Sequence, residues 1–119
     1  MASRSDLKLL SLLRINQIFI ELSPEMNLSQ LSAFLVAALH QPTGEDERPP
    51  TIRELATLSE LPYTSMSRHY RYLGERQRHG KEGLGLVDVR IDPDNKRQKQ
   101  VYLTSNGSAL AKKILTYLK

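Results

Sequence analysis

The sequence contains no cysteine and only three histidines. The first absence excludes disulfide bonds, thiolate zinc sites and thiol-based redox sensing. Long apolar runs are missing as well: no stretch approaches the ~18 uninterrupted apolar residues of a membrane span, and the opening MASRSD leads into a helix-like segment with no signal-peptide cleavage pattern. The expectation is a soluble, cytoplasmic chain with no membrane partner. Catalytic constellations are lacking too. His69 and His79 stand ten residues apart in a basic stretch, with no acidic cluster at metal-ligand spacing. Four of the six glycines fall between 74 and 85 but match neither G-x-x-x-x-G-K-[ST] nor G-x-G-x-x-G. Asp92-x-Asp94-x-Lys96 begins like a calcium loop, yet a cation occupies the third ligand position and no bidentate Glu follows, so it reads as a turn. No serine sits in a G-x-S-x-G setting. The chain is expected to be a non-enzyme with no metal or cofactor.

What is present suits one folded domain. The 119 residues are 39% hydrophobic and 25% charged, near globular averages, and the length leaves no room for a second core. Charge is uneven: residues 1–50 carry 4 Lys/Arg against 6 Asp/Glu, and residues 51–119 carry 13 against 7. The basic part faces either something acidic, nucleic acid being the commonest such partner, or simply solvent.

Residues 6–22 place apolar side chains at 7, 9, 10, 12, 13, 15, 18, 19, 20 and 22. At helical spacing these cover nearly the whole circumference, leaving a strip of Arg14, Gln17 and Glu21. Such a helix either lies at the centre of its own domain or packs partly on another chain; the second reading is favoured for a terminal element. Ser23-Pro24 ends it. A second helix opens at Asn27, with Gln30 three positions on, and carries Leu31, Phe34, Leu35, Ala38 and Leu39. HQPTGEDERPP (40–50) is a solvated loop.

Thr51-x-x-Glu54 is a capping box for a short helix. The turn SELP (59–62) follows, then a helix from about 62 to 73 with Met66, Tyr70 and Leu73 on one face and Ser, Arg, His and Tyr elsewhere. This is a helix-turn-helix pattern. A glycine-rich basic loop with Arg76, Arg78 and Lys81 comes next. Residues 86–91 and 100–104 read as paired strands around the charged tip DPDNKRQK, and Thr104 is an N-cap for a last helix bearing Ala109, Leu110, Ile114, Leu115 and Leu118.

That order is a winged helix-turn-helix with flanking helices: mostly α, with a small β-hairpin. It resembles the MarR family of bacterial transcription regulators through TIRELATLSELPYTSMSRHYRYL (51–73), GLGLVDVRIDPDNKRQKQVYLTSNG (83–107) and the helical N-terminus, about two thirds of the chain. The second stretch is the more specific, joining a Gly-Leu entry to the wing, a DP-x-x-[KR]-R tip and a Leu-Thr-x-x-Gly exit. Three departures stand out. Asn95 replaces the Asp that usually precedes the wing arginine by two residues, residues 77–83 form an insertion, and the C-terminal helix is short.

The resemblance implies a homodimeric, sequence-specific binder of double-stranded DNA, acting as a repressor. The expected plan has an N-terminal dimerisation helix (5–22), a winged helix-turn-helix (51–104) and a C-terminal helix (105–119) in a single domain. Tyr63, Thr64, Ser65, Ser67 and Arg68 would read base edges; His69, Arg71, Arg76, Arg78 and Lys81 would contact phosphate; Lys96, Arg97 and Lys99 would form the wing's contact with backbone or minor groove. Leu9, Leu12, Ile15, Phe19, Leu110, Ile114 and Leu118 would form the dimer interface. No feature indicates a small-molecule effector. Two other classes remain open: a phage or plasmid replication or partition protein, which the inserted loop would suit, and a winged-helix module that binds protein.

Overall fold

The computed structural model describes residues 3–44, 47–75 and 82–118. Five helices and one hairpin follow in the order α1 (Arg4–Leu22), α2 (Leu28–Leu39), α3 (Ile52–Ser59), α4 (Tyr63–Leu73), β1 (Val87–Ile91), β2 (Lys99–Leu103) and α5 (Ser105–Thr116). Local chemistry sets most of the helix starts. Ser3 and Asp6, Asn27 and Gln30, and Thr51 and Glu54 each form a reciprocal capping box, so two orphan donors are satisfied at the head of α1, α2 and α3. The first of these was not anticipated and puts the start of α1 at Arg4. Glu60, in the left-handed region at φ 56°, ends α3 and allows the tight turn into α4.

The core is built where α2, α3 and α4 meet the hairpin. Phe34, Ile52, Leu55, Met66, Tyr70, Leu73, Val87 and Val101 are its fully enclosed large side chains or nearly so. The Tyr70 hydroxyl donates to the Ala33 carbonyl at 2.8 Å, locking α4 onto α2 inside that core. The strands pair antiparallel, with Val87 opposite Leu103 and Val89 opposite Val101. The other edge of β2 is not left bare: Val101 N–H donates to the Pro50 carbonyl, and Thr51 bridges Gln100.

The end of α4 and the approach to β1 are bonded to each other. Backbone N–H groups of Gly83, Leu84, Gly85 and Leu86 donate to the carbonyls of Glu75, Tyr72, Gly74 and Leu73. These four bonds tie the segment that enters β1 to the end of α4. The exit from the wing is equally constrained. Thr104 accepts from Gly107 N–H and donates to the Gly85 carbonyl, while a Cβ on Gly107 would lie 2.0 Å from the Leu86 oxygen. The Leu-Thr-x-x-Gly spacing thus has a steric cause: the first turn of α5 touches the chain entering β1.

Helix α1 stands apart. Its C-terminal half is anchored by Phe19, whose ring meets Phe34 edge-on at 6.0 Å, but Leu7, Leu9, Leu10, Leu12, Leu13 and Ile20 are exposed. The radius of gyration, 15.3 Å, exceeds the roughly 13–14 Å of a compact domain of this length, as expected when one helix projects. The structure corrects part of the expected dimer face. Phe19 and Ile114 are 3% and 6% exposed and belong to this chain's own core. Ile15 and Leu110 are half-buried against that core, whereas Leu9, Leu12 and Leu118 are open. An apolar circumference showed that two sectors are buried or available; it did not show which sector this chain keeps for itself.

Candidate nucleic-acid interface

Helix α4 owes its two-faced character to spacing. Met66, Tyr70 and Leu73 are buried, and a residue two positions past Met66 lies about 200° round the helix, so Arg68 points away from the core. Thr64, Arg68 and Arg71 are exposed, Ser67 is half-buried beside them, and together with Tyr63, Tyr72 and Gln30 of α2 they line one open hollow of ≈ 480 Å³. Among the described residues, no carboxylate lines it. Its surface offers hydroxyls, phenols, an amide and two guanidinium groups, which suits the donor and acceptor pattern of base edges and phosphates.

A second hollow of ≈ 230 Å³ joins the outer face of α4 to the hairpin. Ser67 and Arg71 line it from the helix and Asp88, Val89, Ile91 and Lys99 from the strands, with Glu75 just past the end of α4, so two carboxylates share it with the two cations. Arg71 and Lys99, 28 residues apart in sequence, are thereby brought to one concavity. Lys96 and Arg97 are exposed at the hairpin tip.

The tip is a built turn. Asp92 is buried, its carboxylate accepts from Asp94 N–H at 2.9 Å, its own N–H donates to the Gln98 carbonyl, and Arg48 reaches it at 3.8 Å. The same Arg48 meets Glu54 at 3.5 Å, tying the tip to the start of α3. The Asn95 side-chain oxygen accepts from the Arg97 backbone N–H at 3.2 Å, so Asn95 orders the turn's backbone and leaves the Arg97 guanidinium unconstrained by it.

Two expected base or phosphate contacts stand away from this group. Ser65 and His69 are half-buried on the flank of α4 and line neither hollow. Burial holds the His69 imidazole below its ordinary proton affinity, so at neutral pH it offers no added cation to a phosphate. Arg76, Arg78 and Lys81 lie outside the described residues.

Arg53 was missed. It is exposed on the first turn of α3, and its guanidinium lies over the Tyr63 ring, 5.2 Å from the centroid. Its place inside the Thr51-x-x-Glu54 box had marked it only as a helix-start residue. Arg90 was also passed over; it is committed to Asp88 at 2.6 Å and to the Tyr102 ring at 4.8 Å.

No protein-family model matches the chain, and no curated protein does. Solved structures do. The S. aureus MepR–DNA complex superposes with a TM-score of 0.66 at 17% identity, over 90% of this chain and 75% of that one. MarR superposes at 0.58 with 25% identity, over 92% and 72%. A MarR cysteine-to-serine variant from E. coli, complexed with operator DNA, gives 0.61 at 18% identity, over 92% and 69%. The element order, the buried face of α4, the two-stranded hairpin and these superpositions agree: this chain has the winged helix-turn-helix fold of the MarR-family transcriptional regulators.

Proposed function

We propose that the chain is a sequence-specific double-stranded-DNA-binding transcription regulator of the cytoplasm, a binding protein and not an enzyme. The observation that carries this is the outer face of α4: Thr64, Ser67, Arg68 and Arg71 around one hollow that no carboxylate of the described residues lines, adjoined by a second hollow where Arg71 and Lys99 meet beside Glu75 and Asp88, and by the exposed cations of the hairpin tip. In this reading α4 enters the major groove, where Arg68 reads a guanine edge and Thr64 and Ser67 make shorter polar contacts. Arg71 and Lys99 take the phosphates beside the groove, and Lys96 and Arg97 follow the backbone into the next minor groove.

Two copies act together. The leucines of α1 that this chain leaves exposed, with Leu118, form the contact that pairs them, and the pair binds two half-sites across a promoter and represses by excluding polymerase. MepR and MarR, whose solved complexes contain DNA, support the reading by likeness of fold.

The test is selection of bound duplexes from a random pool, followed by titration of the selected site and an unrelated one across a salt series. A preferred site with an inverted repeat, bound with strong salt dependence, is the expected result. Binding without preference, or none at low salt, overturns it. Mapping the selected site to promoters or to an origin of replication separates regulation from a replication role.

A further inference from the structure

The geometry points to Arg53 as a phosphate-contacting residue that sets how the start of α4 meets DNA, with Tyr63 as its platform and not a reader of base edges. This rests on the DNA-binding reading above. Arg53 is the second residue of α3 and Tyr63 the first of α4, so their contact spans the turn of the helix-turn-helix itself. Tyr63 also borders the hollow shared by Thr64, Ser67, Arg68 and Arg71. The stacked guanidinium consequently stands at the rim of the surface that would face the groove.

The manner in which each arginine is held separates this one from its neighbours. Arg48 lies against Glu54 and Asp92, and Arg90 against Asp88; their charges are answered within the chain. Arg53 forms no ion pair among the described residues and is held by an aromatic face. A ring fixes a guanidinium without neutralising it, and the N–H groups along the planar edge stay free for a bidentate contact with an anion. Fixing the side chain beforehand also lowers the entropy lost when the phosphate arrives. The ring face covered by Arg53 cannot stack on a base as well, which leaves the hydroxyl and the opposite face of Tyr63 as the parts that could meet one.

That last point makes the assignment testable. Arg53→Ala, Arg53→Gln, Tyr63→Phe, Tyr63→Ala and the double alanine variant are titrated against the selected duplex and an unrelated duplex across a salt series, with helicity checked by circular dichroism. Arg53→Ala and Arg53→Gln are expected to weaken both duplexes alike, roughly tenfold, the loss usual for one hydrogen bond to a charged group. The slope of log K against log salt should fall by about 0.9, the value for one phosphate. Tyr63→Phe should bind like the parent, since the ring is kept. Tyr63→Ala should lose part of what Arg53→Ala loses, and the double variant no more than Arg53→Ala, because both residues serve one contact. An unchanged salt slope in Arg53→Ala and Arg53→Gln overturns the phosphate assignment. A loss in Tyr63→Phe confined to the selected duplex overturns the platform role and makes the hydroxyl a base reader. A parent protein that binds neither duplex would instead remove the DNA-binding reading on which the assignment stands.

Discussion

The side-chain amide of Gln41 is bonded to β2 as a neighbouring strand would be. Its oxygen accepts from Leu103 N–H at 3.0 Å and its nitrogen donates to the Val101 carbonyl at 3.0 Å and to the Ala37 carbonyl at 3.0 Å. One residue of the α2–α3 connection thus satisfies two groups on the open edge of the hairpin and one at the end of α2. Gln41→Ala would strand the two groups on β2 in a partly buried place, while the Ala37 carbonyl keeps the His40 N–H, and should cost about 1–3 kcal/mol. Urea unfolding followed by circular dichroism measures it; a change within a few tenths of a kcal/mol would mean that solvent replaces the amide at no penalty.

Thr104 and Gly107 make a second, steric prediction. Thr104→Ala removes the cap of α5 and the bond to the Gly85 carbonyl, for a loss of about 1–2 kcal/mol. Gly107→Ala must push the Leu86 carbonyl away and should cost more, about 3 kcal/mol. Gly44→Ala, with no atom of the described residues within 4 Å of the added carbon, is the control and should be near neutral. Equal unfolding midpoints for all three would refute the close approach of α5 and β1.

On α1 two apolar residues seven positions apart should behave oppositely. Phe19 is enclosed, so Phe19→Ala should destabilise the chain by about 3–5 kcal/mol. Leu12 is 57% exposed, so Leu12→Asp should leave the fold intact and shift the sedimentation of a dimer to that of a monomer. A folded Leu12→Asp variant that still sediments as a dimer would place the contact between copies elsewhere.

The buried Tyr70 hydroxyl ties stability to alkaline pH. Burial raises its pKa above the ordinary 10.0, so the folded state holds the proton more tightly than the unfolded one. Its contribution is complete below pH 10 and is lost as pH rises from the unfolded value toward the folded one. Tyr70→Phe should cost about 1 kcal/mol at neutral pH through the lost bond to Ala33. Above pH 10 its Tm should fall less steeply than that of the parent. Parallel curves through pH 11 would show that the phenol ionises equally well in both states.

Arg68 and Arg97 are predicted to fail differently. Arg68→Ala should lose ~1–3 kcal/mol on the selected site and far less on unrelated DNA. Arg97→Ala should chiefly remove any advantage of A/T-rich flanks, where the minor groove is narrow. Asn95→Asp keeps an acceptor for the Arg97 backbone N–H and adds a second, charged oxygen that can hold the guanidinium, so binding should tighten slightly. Affinities for one operator with A/T-rich and G/C-rich flanks decide the matter: identical losses from both alanine variants on every duplex would make both residues phosphate contacts.

The features legible in the amino-acid order are chiefly those made by residues three or four apart. The caps at Asn27, Thr51 and Thr104 and the Met66, Tyr70 and Leu73 face of α4 rest on such spacing, the stop at Ser23-Pro24 on two adjacent residues, and the structure contains each of them. The outward direction of Arg68 follows from the same geometry. Strand ends moved by one residue, because pairing is decided by the partner strand: Lys99 is drawn into β2 by Ile91, and Leu86 is held instead by Leu73 and Thr104.

Sequence alone therefore determined the helix-turn-helix, the hairpin after it and the polar face of α4, since each is a pattern within a single element. Tertiary structure decided which apolar sector of α1 this chain keeps, enclosing Phe19 against Phe34 and leaving Leu12 in solvent. It also decided that Gln41 closes the edge of β2 and that Arg53 lies on Tyr63. Those contacts join residues 10 to 62 apart in the chain. Periodicity carries the chemistry available on each face of an element, but the choice among faces is made by the packing free energy of the whole core, which no local pattern contains.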